Sequence, residues 1–400
     1  MKQYAKHIKR QSSNKTIRYQ GLFFLLFTCL VSELPADLSP LRVGGALRAN
    51  YVYKDWDDNW GGIGELAFDT ARINLEWTDD VLIGSLEYRY YRDKHSGGHD
   101  YHMLHHGWVG LRIDDKQELH AGVQKVPFGI LPYASHNWFF QLGYYVGMED
   151  DYDLGIKYLG ATDDWDLQLA WYSQDEGSWS GESDDSARYS YDLVREGNNG
   201  NREKNQFNVR IARTLVYSKN IKTELGLSVQ YGSVTNRNTG KTGDQSALAV
   251  HLNANWGRWN LMLQGAQYTN DVKNDPVLDA SPDGSFVVMG AYDAAYNVAS
   301  DGGLYSVGIA YSLPVSLGSV SNLTFYNDYS LLSKDNASFS NTRQNVLGMA
   351  ITAGKFYIYV DMATGKNHPW LGGDWTNGLA AGEAGDGWHT RFNINVGYYF

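Results

Sequence analysis

Hydrophobic and polar residues alternate with a period of two along the last thirteen residues of the chain, Trp388 to Phe400. One side of this segment carries Phe392, Ile394, Val396, Tyr398 and Phe400, and the other carries Arg391, Asn393, Asn395 and Gly397. A strand of this kind offers one face to hydrocarbon and one to water. The pattern recurs along most of the sequence with turns between, which is typical of transmembrane β-barrel strands.

Sixteen such segments can be read from the sequence. The upward strands are predicted at 41–53, 81–92, 117–125, 164–173, 221–233, 258–270, 321–332 and 355–364, and the downward strands at 65–77, 104–114, 152–159, 206–217, 245–256, 303–313, 343–353 and 389–400. Short turns alternate with long loops, and the even count brings both ends of the barrel to the periplasmic side. The strand-like segment 285–297 would break this parity, so we assign it to a folded extracellular loop.

The pattern therefore predicts an all-β protein, a sixteen-stranded antiparallel transmembrane β-barrel. A barrel of this size encloses a lumen too wide for side chains to fill, so it holds a water channel.

The connection after the fifth strand, Val126 to Asp151, is rich in aromatic residues and ends in Glu149, Asp150 and Asp151. So much apolar surface is seldom left exposed to water and needs to pack against other parts of the protein. We expect this loop to fold inward and narrow the channel. The alternative is an extracellular cap or a subunit contact.

An arc of basic residues is predicted inside the barrel. When aliphatic and aromatic residues are placed on the lipid side, the inward set includes Arg42, Arg48, Arg72, Arg89, Arg112, Arg391 and, from the eighth strand, Arg210. Opposite the carboxylates that end the inserted loop, this arc would orient small dipolar or anionic solutes. Alternatively, these arginines pair with neighbouring acids and hold the wall rigid. Arg213 departs from the pattern on the lipid side, through either a bulge or a position at the membrane interface.

The first 36 residues resemble a secretory signal peptide. Six basic residues, Lys2, Lys6, Lys9, Arg10, Lys15 and Arg18, precede an apolar run, 21–31, of 11 residues. A spanning helix needs roughly 20, which disfavours the alternative of an anchored helix. Residues 37–400 form the barrel domain, which is expected in the outer membrane of a Gram-negative bacterium.

The mature chain would carry 28 Lys and Arg and 44 Asp and Glu, a net charge of −16. This charge argues against a nucleic-acid partner and suits divalent cations at a lipopolysaccharide-facing surface. The only cysteine, Cys29, leaves with the signal peptide. Acidic groups that could bridge lipid phosphates through Ca²⁺ or Mg²⁺ are Asp55, Asp57 and Asp58, and Glu182, Asp184 and Asp185.

Five histidines crowd one stretch of the chain. They are His95, His99, His102, His105 and His106, and such a cluster can hold zinc or copper. The alternative is that they are solvated in a loop. No cofactor is otherwise expected.

A barrel enzyme and a surface receptor or adhesin are the competing classes of function. No serine lies in a Gly-x-Ser-x-Gly motif, and the inward His120 has no serine near it on its strand. We therefore expect no enzyme, whereas an adhesin would be compatible with a pore.

Three motifs carry a resemblance to Gram-negative porins, most of all to the phosphate-selective porins O and P. They are Gln124-Lys125-Val126-Pro127-Phe128-Gly129, Tyr326-Asn327-Asp328-Tyr329-Ser330 and the terminal Tyr398-Tyr399-Phe400. The resemblance covers about 41–400 and implies a homotrimer, an inward third loop and insertion by the barrel-assembly machinery. Phosphate-binding members carry an arginine ladder and several lysines at the constriction, whereas this loop has only Lys125, which the resemblance places in the constriction. The sequence predicts a porin for passive diffusion of small hydrophilic solutes, with an anion preference set by the arc.

Overall fold

The computed structural model describes residues 40–57, 63–92 and 99–400. The chain divides into two compact units, Met1–Arg42 and Val43–Phe400. Nearly all of the first unit, and with it the predicted signal peptide, lies outside the described residues, as do Asp58 and His95. The second unit is the barrel.

Sixteen long antiparallel strands build the barrel wall. They are β1 (Leu41–Lys54), β2 (Glu65–Thr78), β3 (Leu82–Arg92), β4 (Asp100–Asp114), β5 (Gln117–Lys125), β6 (Tyr152–Ala161), β7 (Trp165–Asp175), β9 (Asn201–Ser218), β10 (Ile221–Asn236), β11 (Thr242–Trp256), β12 (Trp259–Asp271), β15 (Asp301–Leu317), β16 (Val320–Lys334), β17 (Thr342–Ala353), β18 (Phe356–Lys366) and β19 (His389–Tyr399). Each matches a strand predicted from the period-two pattern, within a few residues at its ends. The predicted fold class is confirmed.

The wall closes where the last strand pairs with the first. β19 runs antiparallel to β1 with Tyr398 opposite Leu47 and Arg391 opposite Lys54. The strands β3, β2, β1 and β19 are therefore neighbours around the barrel. Each of the sixteen described wall strands therefore pairs on both sides, and the wall presents no open sheet edge to hydrocarbon.

The barrel is inside out compared with a water-soluble protein. On β9, Val209 is 43 % exposed, whereas its neighbours Asn208 and Arg210 are 1 % and 2 % exposed. On β19, the inward Arg391, Asn393 and Asn395 are buried in the same way. The outer surface is apolar and the inner surface is polar, which suits a lipid bilayer around an aqueous interior.

The segment 285–297 lies outside the barrel wall, as predicted. It forms a hairpin of β13 (Phe286–Ala291) and β14 (Ala294–Ala299), and β13 also pairs with β8 (Asp192–Leu193). Among the described residues, two 3-10 helices of three residues each occur, at Tyr144–Val146 and Pro369–Leu371. Across the three described ranges, no helix is long and apolar enough to cross a membrane.

Arg213 keeps the outward phase of β9, because its pairing with β7 runs without a register shift from Trp165 to Tyr172. Its guanidinium lies 5.3 Å from the centre of the Trp165 ring, next to a short turn. The sequence offered a bulge or a position at the membrane interface as explanations for Arg213. The β7–β9 pairing has no bulge at this position.

Candidate functional site: an arginine-lined cavity beside the inserted segment

The inserted segment, 126–151, crosses from its own strand to the far wall. It leaves β5, yet the backbone N–H of His136 donates to Asp328 Oδ2 (2.7 Å) and that of Leu142 donates to Ser330 Oγ (3.1 Å), both on β16. β16 lies eight strands from β5 in either direction around the barrel. Since Asp328 and Ser330 are buried on the inward face, the segment lies within the barrel.

Further hydrogen bonds fix the segment along the wall between these strands. Gly129 N–H donates to Ser228 Oγ (3.0 Å), and Ile130 N–H donates to Gln264 Oε1 (2.8 Å). Gly129 has a φ of +63°, and a Cβ at this position would meet the Gln264 side chain. A residue with a side chain would therefore be both strained and crowded here, which explains the glycine after Val126-Pro127-Phe128.

A cavity of about 300 Å³ lies between the segment and the wall formed by β19, β1, β2 and β3. Five arginines line it, namely Arg48, Arg72, Arg89, Arg92 and Arg391, together with ten tyrosines, namely Tyr91, Tyr101, Tyr133, Tyr144, Tyr145, Tyr189, Tyr191, Tyr292, Tyr359 and Tyr399. Asp69 is the one carboxylate among the described lining residues. The cavity is thus both cationic and aromatic.

Neighbouring groups hold these guanidinium groups in place. Arg72 and Arg89 are directly opposite each other on β2 and β3, and both form ion pairs with Glu87. Arg48 lies 6.0 Å from the ring centre of Tyr399, and Arg391 lies 5.1 Å from that of Phe139 in the inserted segment. The second alternative from the sequence, pairing with a neighbouring acid, thus holds for Arg72 and Arg89, whereas Arg48 and Arg391 contact aromatic rings.

Four predicted basic residues do not line this cavity. Arg42 is exposed near the start of β1, and Arg112, at the short-turn end of β4, donates to the carbonyl oxygen of Asp79. Arg210 is buried on another part of the wall and forms ion pairs with Asp166 (2.5 Å) and Glu224 (2.7 Å).

Lys125 is the fourth. It donates to the carbonyl oxygen of Pro132 (2.9 Å) and forms an ion pair with Asp150 (2.5 Å). It therefore closes the base of the inserted segment.

The three acids that end the segment do not face the arginines across the cavity. Glu149 accepts hydrogen bonds from the Ala134 and Gln141 backbone N–H groups (2.9 and 3.2 Å). Burial raises the pKa of Glu149 to about 7, even though these bonds favour the carboxylate. Asp150 is held by Lys125 and by the hydroxyl group of Tyr189 (2.5 Å). The transverse field between opposite charges that the sequence suggested is therefore not formed by these residues.

The four described histidines of the predicted metal cluster do not converge on one point. The His99 ring pairs with Glu182 (2.7 Å), and His102 bonds to the Tyr88 hydroxyl group. His105 and His106 contact each other, with their Nδ1 atoms 2.8 Å apart. In the described part of the chain, the group of side chains with metal-ligand spacing is a different one, Asp151, Asp153 and Asp192.

Sequence reasoning included the cavity tyrosines of the inserted segment among its aromatic residues, but it missed those contributed by other loops and strands. Tyr144, Tyr189 and Tyr292 come from three separate connections, and their rings meet in contacts of about 6 Å between centroids. The repeated tyrosines in Arg188-Tyr189-Ser190-Tyr191 are a local signal that could have drawn attention to one of these loops.

No protein-family model and no curated protein sequence matches the chain. Solved structures match it in fold. The outer-membrane channel DcaP of Acinetobacter baumannii has a TM-score of 0.56 at 10 % identity, covering 90 % of this chain and 97 % of that chain. The anion-selective porin from Comamonas acidovorans has a TM-score of 0.53 at 15 % identity, covering 90 % and 99 %. The trimer form of OmpT, an outer-membrane protein of Vibrio cholerae, has a TM-score of 0.53 at 14 % identity, with the same coverage. The chain thus has the antiparallel barrel fold seen in outer-membrane porins.

Proposed function

We propose that this protein is an outer-membrane porin through which small hydrophilic solutes, preferentially anions, diffuse passively. The observation that carries the proposal is the cavity beside the inserted segment, with five arginines and one carboxylate among its described lining residues. Fixed positive charges in a narrow, low-dielectric passage attract anions and repel cations. The preference is local, because the chain as a whole is acidic.

The inserted segment sets the size limit in this proposal. It occupies the lumen between β5 and β16, and its residues Trp138, Phe139 and Phe140 line the cavity. Solutes would pass between these rings and the arginine-bearing wall. No chemical step is required, since diffusion down a gradient needs only a wet path.

The location and assembly follow from the outer surface. A closed barrel with an apolar exterior suits the outer membrane, and it would be inserted there by the barrel-assembly machinery. A homotrimer is proposed because one fold relative has a trimer form. We also propose that exposed loop acids such as Glu182 bind divalent cations that bridge lipopolysaccharide. Selectivity for phosphate in particular is not part of the proposal.

Liposome swelling tests the proposal. Vesicles that contain the purified protein are placed in isotonic solutions of anionic, neutral and cationic solutes of matched size. We expect swelling in all three, with the anion entering fastest. Vesicles that do not swell, although gel mobility shows a folded barrel, would overturn the porin function. Faster entry of the cation would overturn the anion preference alone.

A further inference from the structure

Three buried carboxylates from three different elements meet at the base of the inserted segment, away from the cavity lining. Asp151 ends the segment, Asp153 is the second residue of β6, and Asp192 begins β8 in the loop sheet. They are 7 %, 2 % and 2 % exposed. One oxygen atom from each lies within 4.8 Å of the others.

Cationic side chains compensate this cluster only in part. Arg188 contacts Asp192 (3.0 Å), but the same guanidinium also binds Asp185 (2.7 Å). Within the described ranges, neither Asp151 nor Asp153 forms an ion pair with a Lys, Arg or His side chain. Burying charged carboxylates without a cation is costly, so these groups must either take up protons or bind a cation from solution.

Some side-chain oxygen atoms in and beside the acidic cluster have no hydrogen-bond donor. Asp153 accepts a hydrogen bond from Gln206 Nε2 (3.0 Å) through Oδ2, whereas its Oδ1 and the Oδ1 of Asp151 have no hydrogen-bond partner. Gln124, outside the acidic cluster, is directly opposite Asp153 in the β5–β6 pairing and only 1 % exposed, and its Oε1 also has no partner. A buried acceptor without a donor costs about 1–3 kcal/mol, and a charged one costs more. Acceptor oxygens without donors are what a hard cation binds.

We propose that Asp151, Asp153 and Asp192 bind one calcium ion. Calcium takes oxygen ligands at about 2.3–2.6 Å, so that ligands on opposite sides of the ion are about 5 Å apart, which fits this cluster. Magnesium needs a tighter octahedron, with ligands at about 2.0–2.1 Å, and dehydrates reluctantly. Gln124 is directly opposite Asp153, so the two side chains share one face of the sheet, and Gln124 Oε1 is the candidate for a further ligand.

The ion would join the inserted segment to the loops above it. The carbonyl oxygen of Asp151 accepts from Val126 N–H (2.8 Å), which closes the base of the segment, and Asp192 pairs with Gly290 in the loop sheet. Bound calcium would therefore fasten this base to β8. Calcium binding is independent of whether solutes permeate, so its failure and that of the porin proposal are distinguishable.

Terbium luminescence tests the site, because terbium replaces calcium at oxygen sites and Tyr152 lies between two of the ligands in sequence. The full-length folded protein is stripped with EDTA, loaded with terbium and excited at the tyrosine band. We expect sensitised emission that calcium displaces. Asp153→Asn should weaken terbium binding by about tenfold or more. Asp115→Asn, which makes the same change at an exposed acid in the turn between β4 and β5, is the matched control and should bind as the wild type does.

Two results would overturn the site. One is wild-type emission no stronger than that from terbium bound non-specifically to the protein surface. This result would mean that protons neutralise the cluster. The other is an Asp153→Asn variant that binds terbium as tightly as the wild type. If Asp153→Asn does not fold, Asp192→Asn is measured instead, and elemental analysis of the EDTA-stripped and calcium-reloaded wild type counts the bound ion directly.

Discussion

His136 and Asp328 are 192 residues apart in sequence, yet their Nδ1 and Oδ1 atoms lie 2.7 Å apart inside the barrel. The same carboxylate accepts hydrogen bonds from the His136 backbone N–H and the Asn137 side-chain amide, each at 2.7 Å. One acid on the far wall thus receives three hydrogen bonds from the inserted segment. This carboxylate is the main point at which the segment is fastened across the lumen.

Replacement of this acid should release the segment. Asp328→Asn keeps the size of the side chain but loses the charge and one acceptor, at a cost of about 1–3 kcal/mol. We expect faster hydrogen exchange in residues 130–145 and noisier single-channel currents. Glu76→Gln, which neutralises an exposed acid at the end of β2, is the control. Unchanged exchange in Asp328→Asn would show that the other wall contacts are sufficient.

The attachment of the inserted segment to Asp328 through His136 should weaken as pH rises. Burial lowers the pKa of His136, but the hydrogen bond and charge of Asp328 raise it more, so the pKa lies above its ordinary value. The charged ring therefore stabilises the docked segment fully below about pH 6.5, and this contribution is lost as pH rises through the raised pKa. We expect protection factors in 130–145 to fall over that range in the wild type and to fall less in His136→Gln, which retains only the contribution of Glu149 near pH 7. An equally steep fall in the variant would show that His136 is not the group responsible.

A charged side chain on the apolar outer face should destabilise the barrel more strongly the closer it lies to the middle of the bilayer. Leu227 lies in the middle of β10 and is 41 % exposed, whereas Leu317, at the turn end of β15, is 64 % exposed. Leu227→Lys should cost about 2–4 kcal/mol of unfolding free energy and Leu317→Lys about 0–1 kcal/mol. Urea unfolding in lipid vesicles measures both. Equal costs at the two positions would contradict a bilayer around the wall.

The strands could be predicted from the sequence because their signal is local. Alternation of residues such as Asn393 and Ile394 records which side of the wall each side chain faces, and neighbouring strands need no other information. The same alternation correctly gave Arg48 and Arg391 an inward direction. The alternation could not give their position along the barrel axis. A strand rises about 3.3 Å per residue, so Arg112, near the end of β4, lies far from the cavity.

The loops carry no such period, and this is where the site could not be predicted. Nothing in Glu149-Asp150-Asp151 indicates that the first acid accepts hydrogen bonds from the Ala134 and Gln141 backbone N–H groups, or that the last acid lies beside Asp192. Likewise, Tyr144 and Tyr292 meet only after two long connections have folded together. These contacts depend on tertiary packing over distances in sequence that periodicity does not reach.

The cavity arginines should set the charge preference individually. Removing one positive charge about 5 Å from a permeating ion in water changes its energy by about 0.8 kcal/mol, or roughly fourfold in relative permeability. We expect this loss of anion preference in Arg48→Gln and Arg391→Gln. Arg213→Gln removes an arginine from the outer face and should leave selectivity unchanged. Equal effects at all three positions would point to net charge rather than to the cavity.

The reversal potential of the wild-type protein in a planar bilayer under a salt gradient decides whether the barrel is an anion-preferring pore. The proposed function predicts discrete conductance steps and a reversal potential with the sign of anion selectivity. A bilayer that stays silent with folded protein inserted, or a reversal potential of the opposite sign, would contradict it.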